Sequence, residues 1–226
     1  MAKASKNDAK ELARLSSDCS FLLTHLIRQN VEPGKKQEDP RTVLLRMLKP
    51  QNKGKPKLLA NKSGWYATCA TPPDYFTIST RQWEKSPLEQ VVCFTESTLS
   101  GLKAHRHVFN ARYGLAFDRE YLFSRGANPC LNIRSELLKE EVTVKSDNRK
   151  KHLYNFIPAP LHPYINVINE AFDATHEREW RFVGDLTFNL SDLLFIFCPE
   201  SDFHLFAHLQ KNGKPVLFDL DWLDRV

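Results

Sequence analysis

The stretch Tyr113-Gly-Leu-Ala-Phe-Asp-Arg-Glu-Tyr-Leu-Phe-Ser-Arg-Gly-Ala-Asn-Pro-Cys-Leu-Asn-Ile133 decides how the rest of the chain is read. Tyr113–Phe117 is an unbroken apolar run of strand length, and Asp118 to Arg125 has the length of a short helix closed by Gly126. Asn128-Pro129 marks a turn, and Pro129–Ile133 reads as the next strand. Working upstream, Val91–Phe94 is a strand, and Ser97 or Thr98 caps a helix running to about Phe109. Phe21–Ile27 is apolar on both faces with Thr24 and His25 inside it, and reads as a buried strand or a strand-to-helix junction. Downstream come a helix over Pro163–Ala174, strands at Trp180–Val183 and Leu193–Cys198, and a helix from Ser201 to Gln210. That helix ends at Asn212-Gly213, and Val216–Leu220 is the last strand. Strands and helices alternate irregularly, which predicts an α+β domain with a split, mainly antiparallel sheet. There is no internal repeat, no Rossmann glycine fingerprint and no phosphate-binding P-loop.

The 226 residues are 42% hydrophobic and 26% charged, enough apolar content for a core and too much for a disordered chain. No run approaches the ~20 apolar residues that span a bilayer. The N-terminus is charged throughout and lacks an apolar signal core, so a cytoplasmic protein is expected. The five cysteines are scattered and form no C-x-x-C pair, which predicts reduced, mostly buried thiols. The expected organisation is an N-terminal helical segment over residues 1–20, its helix over residues 1–15, and one domain over residues 21–226. A polar excursion from the core over residues 32–62 is interrupted by a helix at Thr42–Leu48.

Charge is unevenly spread. Residues 1–62 hold 14 Lys and Arg against 6 Asp and Glu, and from Arg41 to Lys62 there is no acidic residue. Trp65, Tyr66, Tyr75, Phe76 and Trp83 follow directly. Basic and aromatic residues in succession suit single-stranded nucleic acid, with Lys53, Lys55 and Lys57 as phosphate contacts. The same residues also fit a solvated basic loop followed by ordinary core aromatics.

His105/His107 and His204/His208 have ligand-like spacing, but no Cys or carboxylate completes a recognised zinc set. A nuclease of unrelated fold would need clustered metal-binding carboxylates, and the sequence offers no convincing set. A hydrolase triad has no G-x-S-x-G to anchor it. Three segments remain: Leu23-Thr-His-Leu-Ile-Arg-Gln-Asn30, Tyr113–Cys130 and His176-Glu-Arg-Glu-Trp-Arg-Phe182. Taken singly, His25 fits a satisfied core histidine and Glu177–Trp180 fits a strand entrance with a salt bridge.

The blocks Val92–Ser100, Tyr113–Phe117, Gly126–Cys130 and Glu177–Arg181 resemble the AbiGi-like abortive-infection proteins of bacterial phage defence, a likeness over most of residues 20–200, and the three segments together carry a second resemblance. In the same order they are similar to the ADP-ribosyltransferase superfamily: a first-strand histidine, a central strand and helix, and a late glutamate heading a strand. That resemblance implies a split sheet around an NAD cleft and transfer of ADP-ribose to a macromolecule, and the basic and aromatic run makes nucleic acid the expected acceptor in preference to protein. By resemblance, Glu179 stabilises the oxocarbenium-like ribose and Glu177 takes the acceptor's proton. His25, with Thr24, holds the adenine-side ribose, and Arg28 or Arg119 meets the pyrophosphate. The residue stacking on nicotinamide is left open among Tyr113, Phe117 and Tyr121, because the family's two flanking tyrosines fall on Ala116 and Pro129. A toxin implies a cognate antitoxin as protein partner. The alternative is a catalytically inactive antitoxin or interaction module on the same fold.

Overall fold

The computed structural model describes residues 20–29, 38–50, 54–62, 74–77, 80–85, 89–143, 151–170, 175 and 178–225. The expected helix over residues 1–15, together with Lys53, Trp65, Tyr66 and Glu177, lies outside the described residues. Along the chain come β1 (Leu22–Ile27), α1 (Pro40–Leu48), β2 (Lys57–Leu58), β3 (Asn61–Lys62), β4 (Asp74–Thr77), β5 (Gln82–Lys85), β6 (Gln90–Glu96), α2 (Leu99–Phe109), β7 (Tyr113–Asp118) and α3 (Arg119–Ser124). There follow β8 (Asn128–Pro129), β9 (Leu131–Arg134), α4 (Ser135–Leu138), β10 (Glu141–Val142), β11 (Lys151–His152), β12 (Ile165–Ile168), β13 (Glu179–Val183), β14 (Leu186–Thr187), β15 (Leu193–Phe197), α5 (Phe203–Phe206) and β16 (Val216–Phe218). The protein is mixed α/β with mainly antiparallel pairing. No described helix is long and apolar enough to cross a membrane.

Two compact units interleave in sequence. The first comprises Met1–Leu58, Phe94–Gly126 and Leu186–Val226, and the second Leu59–Cys93 and Ala127–Asp185. In the first unit the strand order is β16-β15-β7-β1-β6, with β6 represented by Phe94–Glu96. β1 pairs antiparallel with β6 and β7, and β7 antiparallel with β15. β15 and β16 are parallel, a pairing that demands a crossover connection, supplied here by residues 198–215. β7 is buried along its whole apolar run, as a strand covered on both faces must be. One face carries Ala116, which joins Leu102 of α2 with Phe197, Leu220 and Leu223. The other carries Tyr113, Leu115 and Phe117. Arg41 at the start of α1 lies 3.8 Å from Asp202, the acceptor of the Tyr113 hydroxyl, so α1 covers this second face. Leu44 and Leu48 of α1 are buried, so the polar excursion read from the sequence returns a helix to the core. The α1 start is written locally: Asp39 accepts from the Thr42 backbone N–H, and Pro40 opens the first turn.

In the second unit the first half of β6 neighbours β13, and β13 pairs antiparallel with β8. β9 and β12 are parallel, while β4–β5 and β10–β11 are antiparallel. Its aliphatic core is Leu138, Ile165 and Val167, with Ile133, Tyr154 and Ile157 packed on it.

Three sequence expectations need correction. The segment read as a helix over Pro163–Ala174 is a 3₁₀ turn over Ala159–Tyr164 followed by β12, with residues 171–174 outside the described residues. β-branched Ile165, Val167 and Ile168 meet β9 in register, and the Asn166 amide donates to Asn132 at 3.1 Å. Asn128-Pro129 is a short edge strand on β13, a place where proline's missing N–H costs no ladder bond. Ser201–Gln210 is not one α-helix but the short α5 flanked by 3₁₀ turns over Glu200–Asp202 and Ala207–Leu209, held by Phe206 in the core and Phe203 against Trp222.

Candidate functional site

The first two motifs become neighbouring strands. In the β1–β7 register Leu23 faces Phe117, His25 faces Leu115, and Ile27 faces Tyr113. Side chains alternate along a strand, so His25 shares a face with Phe94 and Phe117, and Thr24 points to the other. His25 is half-buried, edge-on to Phe94 with ring centroids 5.9 Å apart. Gly114 is where the two strands come closest. A Cβ there would lie 2.6 Å from the His25 carbonyl oxygen and 2.8 Å from Leu26 Cδ2, so the glycine of the central motif sets the seat of the histidine strand.

The other cofactor candidates have varied fates. Thr24 is buried, its hydroxyl 2.7 Å from Ser97 Oγ and within reach of the Thr95 carbonyl, so it fastens β1 to β6. Arg28 is exposed, with its guanidinium 4.1 Å above the Phe109 ring. Arg119 pairs with buried Glu96 at 3.6 Å, and Glu96 also accepts from the Ser20 backbone N–H.

Of the three aromatic candidates, Tyr113 is buried, with its hydroxyl donating to Asp202 at 2.7 Å; burial first, and Asp202 second, push that hydroxyl up to about 12. Phe117 is wholly buried among Phe94, Phe188 and Tyr121, with no ring face left for a ligand. Tyr121 is half-buried, lying parallel to Phe117 on one side with the Arg125 guanidinium 5.8 Å from its centroid. Its hydroxyl donates to Asp192 at 2.9 Å, and burial chiefly raises it to about 12. Tyr121 is thus the least buried of the three candidates.

In the second unit Glu179 opens β13, as read, and its carboxylate is gripped from both sides of a fork. Arg181 Nε donates to Glu179 Oε1 at 2.9 Å and Nη2 to Oε2 at 3.0 Å, while Nη1 donates to the Pro163 and Ile165 carbonyls. The side chains are 12% and 5% exposed. Burial opposes the guanidinium charge, and the carboxylate outweighs it, so Arg181 titrates above its ordinary value. Cys130, whose backbone N–H donates to the Glu179 carbonyl, has its thiol pushed up to about 12 by burial, against the pull of Arg181. A thiol so high is unreactive. The signal for this pair was in the sequence, since residues 179 and 181 of a strand point the same way. Asp202, Asp192 and Glu96, by contrast, carry no local mark.

The aromatic run divides. Tyr75 stands edge-on to His162, and Phe76, Trp83 and Phe156 form one cluster on which Lys151 sits 3.6 Å from the Trp83 centroid. Tyr75, Phe76, Trp83 and Phe156 are all half-buried and belong to the second unit. Lys57 lies in β2 opposite Thr187, and Lys55 is exposed just before it. The described cysteines, Cys93, Cys130 and Cys198, are not disulfide-bonded. No three His, Cys, Asp or Glu among the described residues gather as a metal site. Compared with known proteins, the chain matches no family model, no curated protein and no solved structure.

Proposed function

We propose that the chain is an ADP-ribosyltransferase-like effector of phage defence, working in the cytoplasm with NAD⁺ and opposed by a cognate antitoxin. The observation that carries this reading is the β1–β7 pairing, in which the histidine motif and the central motif lie side by side with Gly114 against His25. Those motifs are far apart in sequence, and the superfamily they resemble uses them together. Transfer breaks the bond between nicotinamide and ribose C1′, with the electron pair leaving on nicotinamide, and forms a bond from C1′ to the acceptor. The proton lost by the acceptor passes to a base, the part assigned to Glu177. By that resemblance His25 is assigned to the substrate's ribose, Tyr121 to stacking, and Glu179 to the anionic charge that steadies a developing C1′ cation.

A second reading has its own support. A carboxylate held at both oxygens by a buried arginine is what a structural ion pair looks like, and it favours an inactive interaction module. Nicotinamide release from NAD⁺, followed by chromatography with RNA, DNA or cell-extract protein as acceptor, separates the two. The transferase reading expects turnover by the wild type and a loss of about 100-fold in Glu179→Gln that remains folded by circular dichroism. No turnover with any acceptor, or equal turnover in both proteins, leaves the interaction module.

A further inference from the structure

We propose that the first unit carries a nucleotide-binding pocket built on Lys55, Lys211 and Lys214. The three lysines line a cavity of about 320 Å³ whose apolar wall includes Leu48, Leu190 and Leu209. No carboxylate among the described residues lines it. That volume is at the lower end of small-molecule sites and suits one nucleotide unit. Three ammonium groups suit a phosphate, which lysine meets as a point charge, and the leucines suit the flat faces of a base.

The hairpin that presents two of the lysines supplies independent support. Lys211 and Lys214 are bridged directly, exchanging backbone N–H···O bonds of 2.8 and 3.1 Å around Asn212-Gly213. Both central residues have positive φ, 53° and 76°, the requirement of the tight two-residue turn that Asn-Gly satisfies. Residues directly opposite in such a pair project to the same side, so the turn holds two like charges face to face, an unfavourable arrangement without an anion between them. Among the described residues none of the three lysines is in an ion pair. An unneutralised cationic rim over an apolar floor is the polarity a nucleotide complements.

The pocket touches the transferase reading only through Lys55, one of the expected acceptor contacts, and it is tested by binding, so either can fail without the other. Anisotropy of a short fluorescein-labelled single-stranded RNA, and calorimetry with AMP and with inorganic phosphate, are measured on wild type, Lys211→Gln/Lys214→Gln and Lys55→Gln. The proposal expects the double variant to weaken RNA or AMP binding by about tenfold or more. It expects the log–log salt slope for RNA to become shallower by roughly one per lost contact. Without nucleotide, the double variant should melt no lower than wild type, because a repulsion is relieved. Binding of AMP alone identifies a free nucleotide as occupant, and binding of both identifies a nucleotide unit that is also accepted within a strand. Binding of RNA but not AMP, with the variants weakened, identifies a unit held only within a strand. Inorganic phosphate binding as tightly as AMP, no binding to wild type, or variants indistinguishable from it would overturn the proposal.

Discussion

The two units are held together by different physics. The first buries long strands and an aromatic core, with Phe94, Phe117, Phe188, Phe197 and Phe206 all but inaccessible. In the second, many of the strands are only two residues long, and much of the order comes from buried polar groups. Arg181, Lys151, His162 and Asn166 are all under one-tenth exposed. His162 Nε2 lies 2.7 Å from the Ile157 carbonyl, Lys151 sits on Trp83, and Arg181 ties Glu179 to two carbonyls of the preceding segment. Apolar cores tolerate imprecision and lose stability in proportion to volume, whereas buried charges fail abruptly when one partner goes. The largest single losses in the first unit should therefore come from its aromatic core, and those in the second from its charged groups.

The sharpest test of that contrast pairs Glu179→Ala with Phe117→Ala. Each is expected to cost about 3–5 kcal/mol, from an uncompensated buried guanidinium in one case and a cavity in the other. Hydrogen exchange resolved by mass spectrometry should assign the first loss to residues 127–185 and the second to the β1–β7–β15 strands. Adding Arg181→Met to Glu179→Ala should restore part of the stability, since the stranded charge is gone. No recovery in that double variant would mean the ion pair is not what orders the second unit.

Gly114→Ala comes next, at about 1–3 kcal/mol, because the His25 backbone and Leu26 must both move. Since the added methyl acts on the backbone of His25, it should also lower any NAD⁺ turnover, which Ala127→Gly in the same assay should leave unchanged. Urea unfolding together with nicotinamide release checks both halves. Trp83→Leu removes the ring under Lys151 and should cost about 1–2 kcal/mol, all of it in the second unit. An equal cost in Lys151→Met with wild-type Trp83, and little more in the double variant, would show that the two act as one contact.

The smallest effect is a pH slope. Burial depresses His162 below its ordinary 6.5, with the Ile157 carbonyl working the other way. Unfolded chains therefore bind the extra proton more readily than folded ones. The associated stability is fully present above pH 6.5 and is lost as pH falls through the folded value. Urea midpoints of the second unit should decline as pH falls below 6.5, more steeply than those of the first. The first unit has its own slope at the opposite end: Tyr113 and Tyr121, raised from 10.0 to about 12, make stability fall as pH climbs above 10.

How much of this was legible in advance follows the same division. β1, β6, β7, β13 and β15 are visible as apolar runs of strand length, and Thr98, Asp118 and Gly126 punctuate α2 and α3 as their chemistry requires. Helix α1 was visible too, though not its return to the core, because nothing local tells a buried Leu44 from an exposed Leu45 once the surrounding sequence is basic. The candidate histidine and glutamate came from the resemblance of their motifs to a known superfamily. The long-range polar partners were not legible: Asp202 reaches Tyr113 across 89 residues, and Glu96 reaches Ser20 across 76.

The sequence by itself determined the long strands β1, β7 and β15, the capped helices and the Asn212-Gly213 turn, since each is marked within a few residues. Tertiary structure alone decided that Ile165–Ile168 is a strand and not a helix, because its partner strand β9 lies more than thirty residues away. It alone decided that Arg181 also reaches the Pro163 and Ile165 carbonyls, that Phe117 is wholly buried and Tyr121 is not, and that Lys55 meets Lys211 and Lys214 around one cavity. The physical reason is common to all four. Local propensity is set by a residue's own backbone and near neighbours, while burial, ion pairing and cavity shape are set by groups that only folding brings together.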